Sequence, residues 1–435
     1  MSEIKDVGAA RGTPWGDASD LRQRRLYPGA GTPPEEVSRN QRERLFGAMV
    51  AVVSEKGYEA TTVADVLALS GVSRSAFYRH FTDKSECLTA TACALFELAA
   101  QALAPAGVDD QREPKEIFEE FLELLASQSA AARLCFVELH AAGPEAERAA
   151  DQAFESAVAG LANSIGNRPD ATGPSPELLR PLLAGVRKLI HTRLSRDEAA
   201  QLADLGPGLW QWMADVAPPA ETLEAPRRQR APQALFEGYT PGERIARAVA
   251  AVIAEKGYRE TSTDDIAARA SISLSTFYAH FGDKRDAVLG VLEMSGAQIT
   301  ALAVPAARRA AGWQEGVRAL YEAICAYFVA EPAMADLALV GVYGAGAQAC
   351  RRRDRVIDSL TEMLVGPGLA ENPGAAPISS EAIGATVYAL MREQLRRDGP
   401  ESLGAVVPLA TYISLVGFVG PERALAVANE KSRRR

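Results

Sequence analysis

The chain is poor in the residues that most catalytic and metal sites require. It has four histidines and five cysteines in 435 residues, and no two cysteines have a Cys-x-x-Cys spacing. An odd number of cysteines without metal-ligand spacing indicates a reducing compartment and buried thiols. No glycine-rich phosphate loop or nucleophile elbow is present. These absences argue against an enzyme, and they predict neither a metal ion nor another cofactor.

Long apolar segments are also scarce. Residues 1–38 contain no apolar core of a signal peptide. One uncharged run, from Leu403 to Val419, has 17 residues and approaches the length of a membrane span. Because Gly404 and Pro408 interrupt it, we expect a helix that is buried on all sides at an interface, with a membrane-spanning helix as the alternative. The sequence therefore predicts a cytoplasmic protein with no membrane partner.

The charge of the chain is unevenly distributed. The net charge is −9, which is unfavourable for binding nucleic acid, because phosphate groups are neutralised by basic residues. Residues 39–84 nevertheless carry a net charge of +2, whereas residues 241–284 are neutral. Hydrophobic residues make up 47% and charged residues 24%, which is typical of a soluble globular protein. A chain of this length exceeds one ordinary core, so several domains are expected.

An internal repeat shows where the chain divides. Without a gap, 20 of the 42 positions in 43–84 are identical in 243–284. The similarity extends further, because the segment VELHAAG at 137–143 resembles VGVYGAG at 340–346. A duplication of a whole protein explains both observations.

Apolar periodicity and linker composition give the predicted domains. No alternating strand pattern is evident, and the fold class is predicted to be all-α, with two tandem units of a helical head and a helical body. A proline-rich stretch separates the units and is read as a linker. Arg22, Arg24 and Arg25 belong either to a DNA-contacting arm or to a solvated tail. The predicted boundaries are a disordered arm at 1–38, head 1 at 39–99, body 1 at 100–216, a linker at 217–238, head 2 at 239–299 and body 2 at 300–435.

Each head has the pattern of a helix-turn-helix motif, from Thr62 to Phe81 and from Ser262 to Phe281. Each motif starts with a capping box and follows a glycine that ends the previous helix. Phe77 and Phe81 are four residues apart, so they share an inward face of the last helix. The outward face then carries arginine, serine and tyrosine side chains, which suit phosphate oxygens and base edges in the major groove.

These motifs resemble those of the TetR-type transcriptional regulators. The resemblance is carried by Thr-Thr-Val-Ala-Asp-Val, Gly-Val-Ser-Arg, Phe-Tyr-Arg-His-Phe and Asp-Lys, and it covers about 39–99 and 239–299. It implies an all-helical homodimer that represses transcription and releases DNA when a small ligand enters the body. The DNA-facing positions that it implies are Thr61, Thr62, Ser73, Arg74, Ser75, Tyr78, Arg79, His80 and Lys84, and Thr261, Ser273, Leu274, Ser275, Thr276, Tyr278, His280 and Lys284.

The second head departs from this pattern. Leu274 and Ala279 stand where the first head has Arg74 and Arg79, and Ser271 replaces the glycine of the turn. Losing two cations removes salt-sensitive contacts and the guanine reading that arginine provides. We therefore expect a folded second head that binds DNA more weakly or reads a different half-site.

The bodies are candidates for a ligand pocket and for self-association. A pocket lined by aromatic side chains is plausible in a helical bundle, although each of these residues also suits a core. One chain supplies both halves of a pseudo-dimer if 178–194 and 209–216 pack against 381–395 and 403–419, and a homodimer of chains with four heads is the alternative. Candidate pocket residues are Phe118, Phe121, Phe136, Tyr321, Phe328 and Tyr343.

A different class of function also fits the sequence. The acidic total charge is compatible with a ligand-sensing or protein-interaction module that has lost DNA binding in one or both heads. Salt-dependent binding to DNA distinguishes the two classes, because only contacts with phosphate release counterions.

Overall fold

A computed structural model describes residues 12–27, 32–104, 112–167, 173–224, 240–371 and 378–430. These residues form nineteen α-helices, several short 3-10 turns and one hairpin of two-residue strands, so the predicted all-α class is confirmed. The strands are β1 (Gly12–Thr13) and β2 (Gly16–Asp17). The first nine helices are α1 (Pro34–Ala60), α2 (Val63–Ser70), α3 (Arg74–His80), α4 (Lys84–Leu103), α5 (Pro114–Ser127), α6 (Ser129–Phe136), α7 (Pro144–Gly166), α8 (Pro176–Ser195) and α9 (Leu202–Asp215).

The remaining helices repeat the order of the first ones. They are α10 (Pro241–Glu260), α11 (Thr263–Ala270), α12 (Leu274–His280), α13 (Lys284–Arg308), α14 (Trp313–Ala330), α15 (Pro332–Leu339), α16 (Ala347–Glu371), α17 (Ser379–Asp398), α18 (Val407–Val419) and α19 (Pro421–Ala428). Helices α10 to α13 correspond to α1 to α4, as the sequence repeat requires.

Local sequence explains the helix ends in both heads. Gly57 and Gly257 have φ values of 76° and 79°, a region that glycine adopts without strain, and each interrupts the first helix of its head. The next helix then starts with a capping box, made by Thr62 with Asp65 in the first head. The second head repeats this capping box with Ser262 in place of the threonine. Both recognition motifs therefore begin and end where the sequence predicts.

The N-terminal segment differs from the prediction. Residues 12–27 form a hairpin and a 3-10 turn that pack on α1, so a disordered arm is wrong for this part of 1–38. Leu21 is fully buried, and the Trp15 ring lies 5.2 Å from the ring of Phe46. Burial of Leu21 and partial burial of Trp15 offset the loss of chain entropy on ordering this segment.

The chain divides into two compact units, and the division differs from the predicted domains. Unit 1 comprises Met1–Ser164 and Arg193–Gly206, and unit 2 comprises Ile165–Thr192 and Pro207–Arg435. Most of α8 and α9 therefore belongs to the same unit as the second head and its body. The predicted body 1 at 100–216 is not a separate compact unit.

Helix α18 occupies the core of unit 2. It is buried along most of its length and packs against α14, α16, α17 and α19. The uncharged run therefore forms a buried helix preceded by a 3-10 turn, as expected for an internal position. By length and composition alone, three described segments are long and apolar enough to cross a membrane: Lys84–Leu103, Lys284–Arg308 and Pro400–Val419.

Candidate nucleic-acid interface

Helix α3 separates an apolar face from a polar face. Phe77 and Phe81 are buried and pack edge to face with ring centroids 5.7 Å apart, so they fix the helix on the head. On the other side Arg74 and Arg79 are exposed, and Tyr78 exposes 51% of its surface. Two guanidinium groups and one phenol hydroxyl therefore project from the same helix toward solvent, where they can meet an anionic surface.

Hydroxyl side chains order the start of this interface. Ser73 caps α3 by accepting a hydrogen bond from the backbone N–H of Ala76, and its hydroxyl lies 3.3 Å from that of Ser75. Both serines are exposed, as is Thr62 at the start of α2. Thr62 is held by Asp65, whose pKa is lowered to about 2 by hydrogen bonds, first from Lys56 and then from Thr62. The predicted positions of these hydroxyl groups on the outer surface agree with the structure.

Thr61 and Thr261 do not lie on this surface. They expose 1% and 3% of their surface, and each hydroxyl donates to the carbonyl oxygen four residues earlier, that of Gly57 or Gly257. The assignment of both threonines as DNA-facing is therefore wrong. Their position after a left-handed glycine turns the side chain inward, where it satisfies a carbonyl that the broken helix leaves unpaired.

The side chains of Lys84 and Lys284 also bind the backbone of their own heads. The ammonium group of Lys84 donates to the carbonyl oxygens of Tyr58, Glu59 and Thr61 at 2.8–3.2 Å and lies over the Tyr58 ring. Lys284 makes the same three contacts in the second head. The geometry therefore contradicts the assignment of these two lysines as DNA-facing, since their donors point at backbone carbonyls.

Replacing Lys84 by alanine should destabilise the first head and leave the salt dependence of DNA binding unchanged. Three carbonyl groups lose their donor, which corresponds to about 1–3 kcal/mol of unfolding free energy. Thermal unfolding and a salt titration of duplex binding measure the two effects. Lys284→Ala is the matched control and should lower stability similarly. A decrease of about one in the salt slope for Lys84→Ala would instead assign this lysine to a phosphate.

His80 lies at the edge of the interface. It is half-buried, and its Nε2 is 3.2 Å from Oε1 of Gln41 on α1. Burial, followed by the positive charges of Arg42 and Arg79, lowers the pKa of His80. The imidazole is therefore neutral at physiological pH and contributes hydrogen bonding rather than charge.

The second head presents a similar face with a different composition. Leu274 and Tyr278 expose 38% and 53% of their surfaces, Ser273, Ser275 and His280 are exposed, and Thr276 is half-buried. Ser273 lies 2.7 Å from the hydroxyl of Ser275 and 2.9 Å from that of Thr276. Ser271 adopts the left-handed conformation with φ 55°, so the turn is kept without glycine. This face has hydroxyl groups and a leucine, but neither arginine of its counterpart.

The segment that follows the N-terminal hairpin adds positive charge beside the first motif, where the sequence left either a DNA-contacting arm or a solvated tail. Arg22 donates from Nε to the carbonyl oxygen of Ala68 at 2.7 Å, and its side chain packs against Gly71 of the turn before α3. Asn40 donates to the carbonyl oxygen of Arg24. The signal that was available is the apolar pair Trp15 and Leu21, which anchors the segment on α1.

A carboxylate links the first head to its body. Oε2 of Glu138 accepts from the backbone N–H of Tyr58 at 2.9 Å, and Oε1 of Glu138 lies 3.5 Å from Arg133. Arg133 in turn reaches Asp197 at 2.8 Å. In the second copy, Gly341 takes the place of Glu138 in the repeated segment. The two heads are therefore attached to their bodies by different contacts.

The aromatic residues predicted to line a pocket are largely packed in cores. Phe118, Tyr321, Phe328 and Tyr343 are buried, and Phe121 and Phe136 are half-buried. The hydroxyl group of Tyr321 lies 2.8 Å from that of Ser414. A cavity of about 370 Å³ lies elsewhere in unit 2, between α10, α15 and α17, and none of the six residues lines it.

The cysteines are poorly suited to act as nucleophiles. Cys87, Cys135, Cys325 and Cys350 are buried and Cys93 is half-buried. Burial raises the pKa of the Cys87 and Cys325 thiols to about 12, so they stay protonated at neutral pH. Among the described residues, no group of three histidine, cysteine or acidic side chains is arranged to hold a metal ion.

Comparison with known proteins identifies both heads. Residues 47–91 and 245–289 each match the family model described as bacterial regulatory proteins, tetR family. A comparison with curated proteins finds no match. Proteins of this family are regulators and not enzymes, in agreement with the sequence prediction.

Solved structures of regulators resemble parts of the chain. The fatty acid degradation regulator FadR from Bacillus halodurans is 15% identical, covers 42% of this chain and 98% of its own, and has a TM-score of 0.36. FadR from Bacillus subtilis, solved with stearoyl-CoA, is 14% identical over 41% and 98%, with a TM-score of 0.35. PfmR from Thermus thermophilus is 22% identical over 41% and 98%, with a TM-score of 0.33.

Proposed function

Because this transcriptional regulator carries two tandem TetR-family units, we propose that it is a ligand-responsive repressor whose first head reads an operator with α3. The observation that supports this proposal is the outward face of α3, where Arg74, Tyr78 and Arg79 are exposed. Two buried phenylalanines on the opposite face pack the helix against the rest of the head. Arginine pairs with phosphate oxygens or with the O6 and N7 atoms of guanine. The face therefore combines attachment to the DNA backbone with base reading.

The basic residues around α3 support contact with a duplex despite the acidic total charge. Arg39 and Arg42 are exposed on α1, and Arg42 is close enough to His80 to lower its pKa. Arg22 lies at the turn on the other end of α3. Positive charge at both ends of a recognition helix allows contacts with phosphates on either side of a groove.

The second head is proposed to bind DNA more weakly or to read a different half-site. Its exposed Leu274 offers an apolar contact of the kind that suits the methyl group of thymine, where the first head offers a guanidinium. Ser275 and Tyr278 keep hydrogen-bonding groups on the surface. An operator with two unlike half-sites follows from two unlike faces.

A pseudo-dimer within one chain is proposed for the assembly. Its support is the packing of α8 on helices of the second half: Arg180 pairs with Glu393 on α17, and Gly185 approaches Thr386 closely. Tyr412 of α18 also donates a hydrogen bond to the carbonyl oxygen of Ala217. The resemblance to TetR-type regulators implies that in a homodimer such helices come from two subunits. The burial of α18 argues against a membrane span in this segment.

Selection of duplexes from a random pool by the intact chain tests the function. We expect enrichment of one guanine-containing half-site, read by the first head, next to a second and different half-site. Enrichment of a perfect palindrome would contradict the inequality of the heads. If no duplex is enriched at low salt, the chain is a sensor or a protein-interaction module instead.

A further inference from the structure

A buried cluster of charged and aromatic side chains joins α8 to α16 and α17 in unit 2. Lys188, Arg353 and Asp354 expose 6%, 5% and 2% of their surfaces. Asp354 accepts from Lys188 at 3.0 Å and from Nε of Arg353 at 2.7 Å through the same oxygen, Oδ1. Among the residues whose side chains are described, Asp354 is the one buried carboxylate. Two buried cations therefore share one anion.

Aromatic rings stabilise cations of this cluster through cation–π contacts. The guanidinium carbon of Arg353 lies 4.9 Å from the ring of Tyr343 and 4.4 Å from that of Tyr388. Arg392 also approaches the Tyr343 ring, at 5.0 Å. Cation–π contacts stabilise such groups by about 1–2 kcal/mol, which is less than the cost of burying an uncompensated charge. Lys188 and Arg353 therefore carry one positive charge more than Asp354 neutralises.

His191 lies beside the same cluster. It is buried and stacks edge to face on Tyr343 with centroids 4.9 Å apart. Its pKa lies well below the usual value because of burial and then of the charges of Lys188 and Arg353. The imidazole therefore stays neutral and adds no further charge to the cluster.

Arg353 has one donor group that its neighbours do not use. Its Nε donates to Asp354 and its Nη1 donates to the hydroxyl of Tyr388 at 2.6 Å. The hydroxyl of Tyr388 in turn donates a hydrogen bond to the carbonyl oxygen of Leu339. The buried Nη2 atom has no acceptor among the described residues. Nearly all buried polar groups in proteins are hydrogen-bonded, so this atom calls for an acceptor.

We propose that Nη2 of Arg353 is part of a binding site for a small anion, a carboxylate or phosphate group, at the junction of α8, α16 and α17. Arginine recognises either group through charge-assisted hydrogen bonds. The anion would balance the second cation and hold α8 of the first half on helices of the second half. This site is separate from both recognition helices and does not depend on DNA binding.

Thermal unfolding of the full chain with sodium acetate or sodium phosphate tests the proposal, with the sodium salt of HEPES, a bulky sulfonate, at equal ionic strength as the reference. We expect a saturable rise in the midpoint temperature for acetate or phosphate, and the better of the two identifies the preferred group. Arg353→Gln should abolish the saturable part, whereas Arg355→Gln, an exposed position on the same helix, should keep it. Identical curves for the three salts would overturn the proposal and leave water as the acceptor.

Asp354→Asn should strengthen anion binding, whereas Arg353→Gln should abolish it. This substitution removes the internal competitor for Arg353, so the apparent affinity for the anion should increase by about tenfold. A ³⁵Cl NMR line-width titration of the unaltered chain supplies a measurement that does not depend on the folding of a variant. Excess chloride broadening that acetate or phosphate displaces is expected, and no displaceable broadening would overturn the proposal.

Discussion

Replacing both Arg74 and Arg79 by alanine should weaken binding of the selected duplex by about 100-fold or more. Each arginine contributes about 1–3 kcal/mol if it pairs with a guanine, and each phosphate contact adds about one to the salt slope. Both side chains are exposed on α3, so their removal leaves the packing of Phe77 and Phe81 intact. Fluorescence anisotropy over a series of salt concentrations measures affinity and slope together.

The second head supplies the matched control for this experiment. Leu274→Ala removes an exposed side chain at the position equivalent to Arg74 and should change affinity by only a few-fold. The reverse exchange, Leu274→Arg with Ala279→Arg, should increase affinity and the salt slope. If alanine at Arg74 and Arg79 has no larger effect than alanine at Leu274, the two heads are equivalent and the proposed asymmetry is wrong.

Replacing Asp354 by alanine should lower the unfolding free energy of unit 2 by about 3–5 kcal/mol. The substitution leaves Lys188 and Arg353 buried without their shared carboxylate, and breaking a buried ion pair has this magnitude. Urea unfolding followed by tryptophan fluorescence measures the change. The exposed Arg355 on the same helix is the control, since Arg355→Ala should change stability by no more than about 0.5 kcal/mol.

The pH dependence of this pair has a definite sign. Burial alone would raise the pKa of Asp354, but the charges of Arg353 and Lys188 hold it well below its usual range. A depressed carboxyl pKa contributes stability above the unfolded value, and that contribution is lost as the pH falls toward the folded pKa. Wild type should therefore lose stability below about pH 4, and Asp354→Ala should lack this component. An unchanged acid profile in the variant would contradict the assignment.

The heads were predictable from sequence because their signals are local. Helix periodicity, Gly57 with its left-handed turn, and the capping box of Thr62 with Asp65 all act within a few residues. The split between buried Phe77 and exposed Arg74 follows from helical spacing. Such features require no knowledge of distant contacts.

The errors in the site concern side chains whose partners are backbone groups or distant residues. Thr61 and Lys84 have types that suit DNA contact, but both donate to carbonyl groups around Gly57. Composition cannot distinguish these two uses. The contact of Lys188 with Asp354 spans 166 residues, so neither residue carries a recognisable pattern in the chain. The hairpin at 12–27 was missed because two-residue strands have no periodicity.

Photo-crosslinking from position 78 tests the central claim most directly. An azidophenylalanine in place of the exposed Tyr78 should, on irradiation, join the first head to bases within one half-site of the selected duplex. The same residue in place of Tyr278 should crosslink less or to the other half-site. If the Tyr78 variant binds the duplex with wild-type affinity but forms no crosslink to it, the outward face of α3 is not the surface that meets DNA.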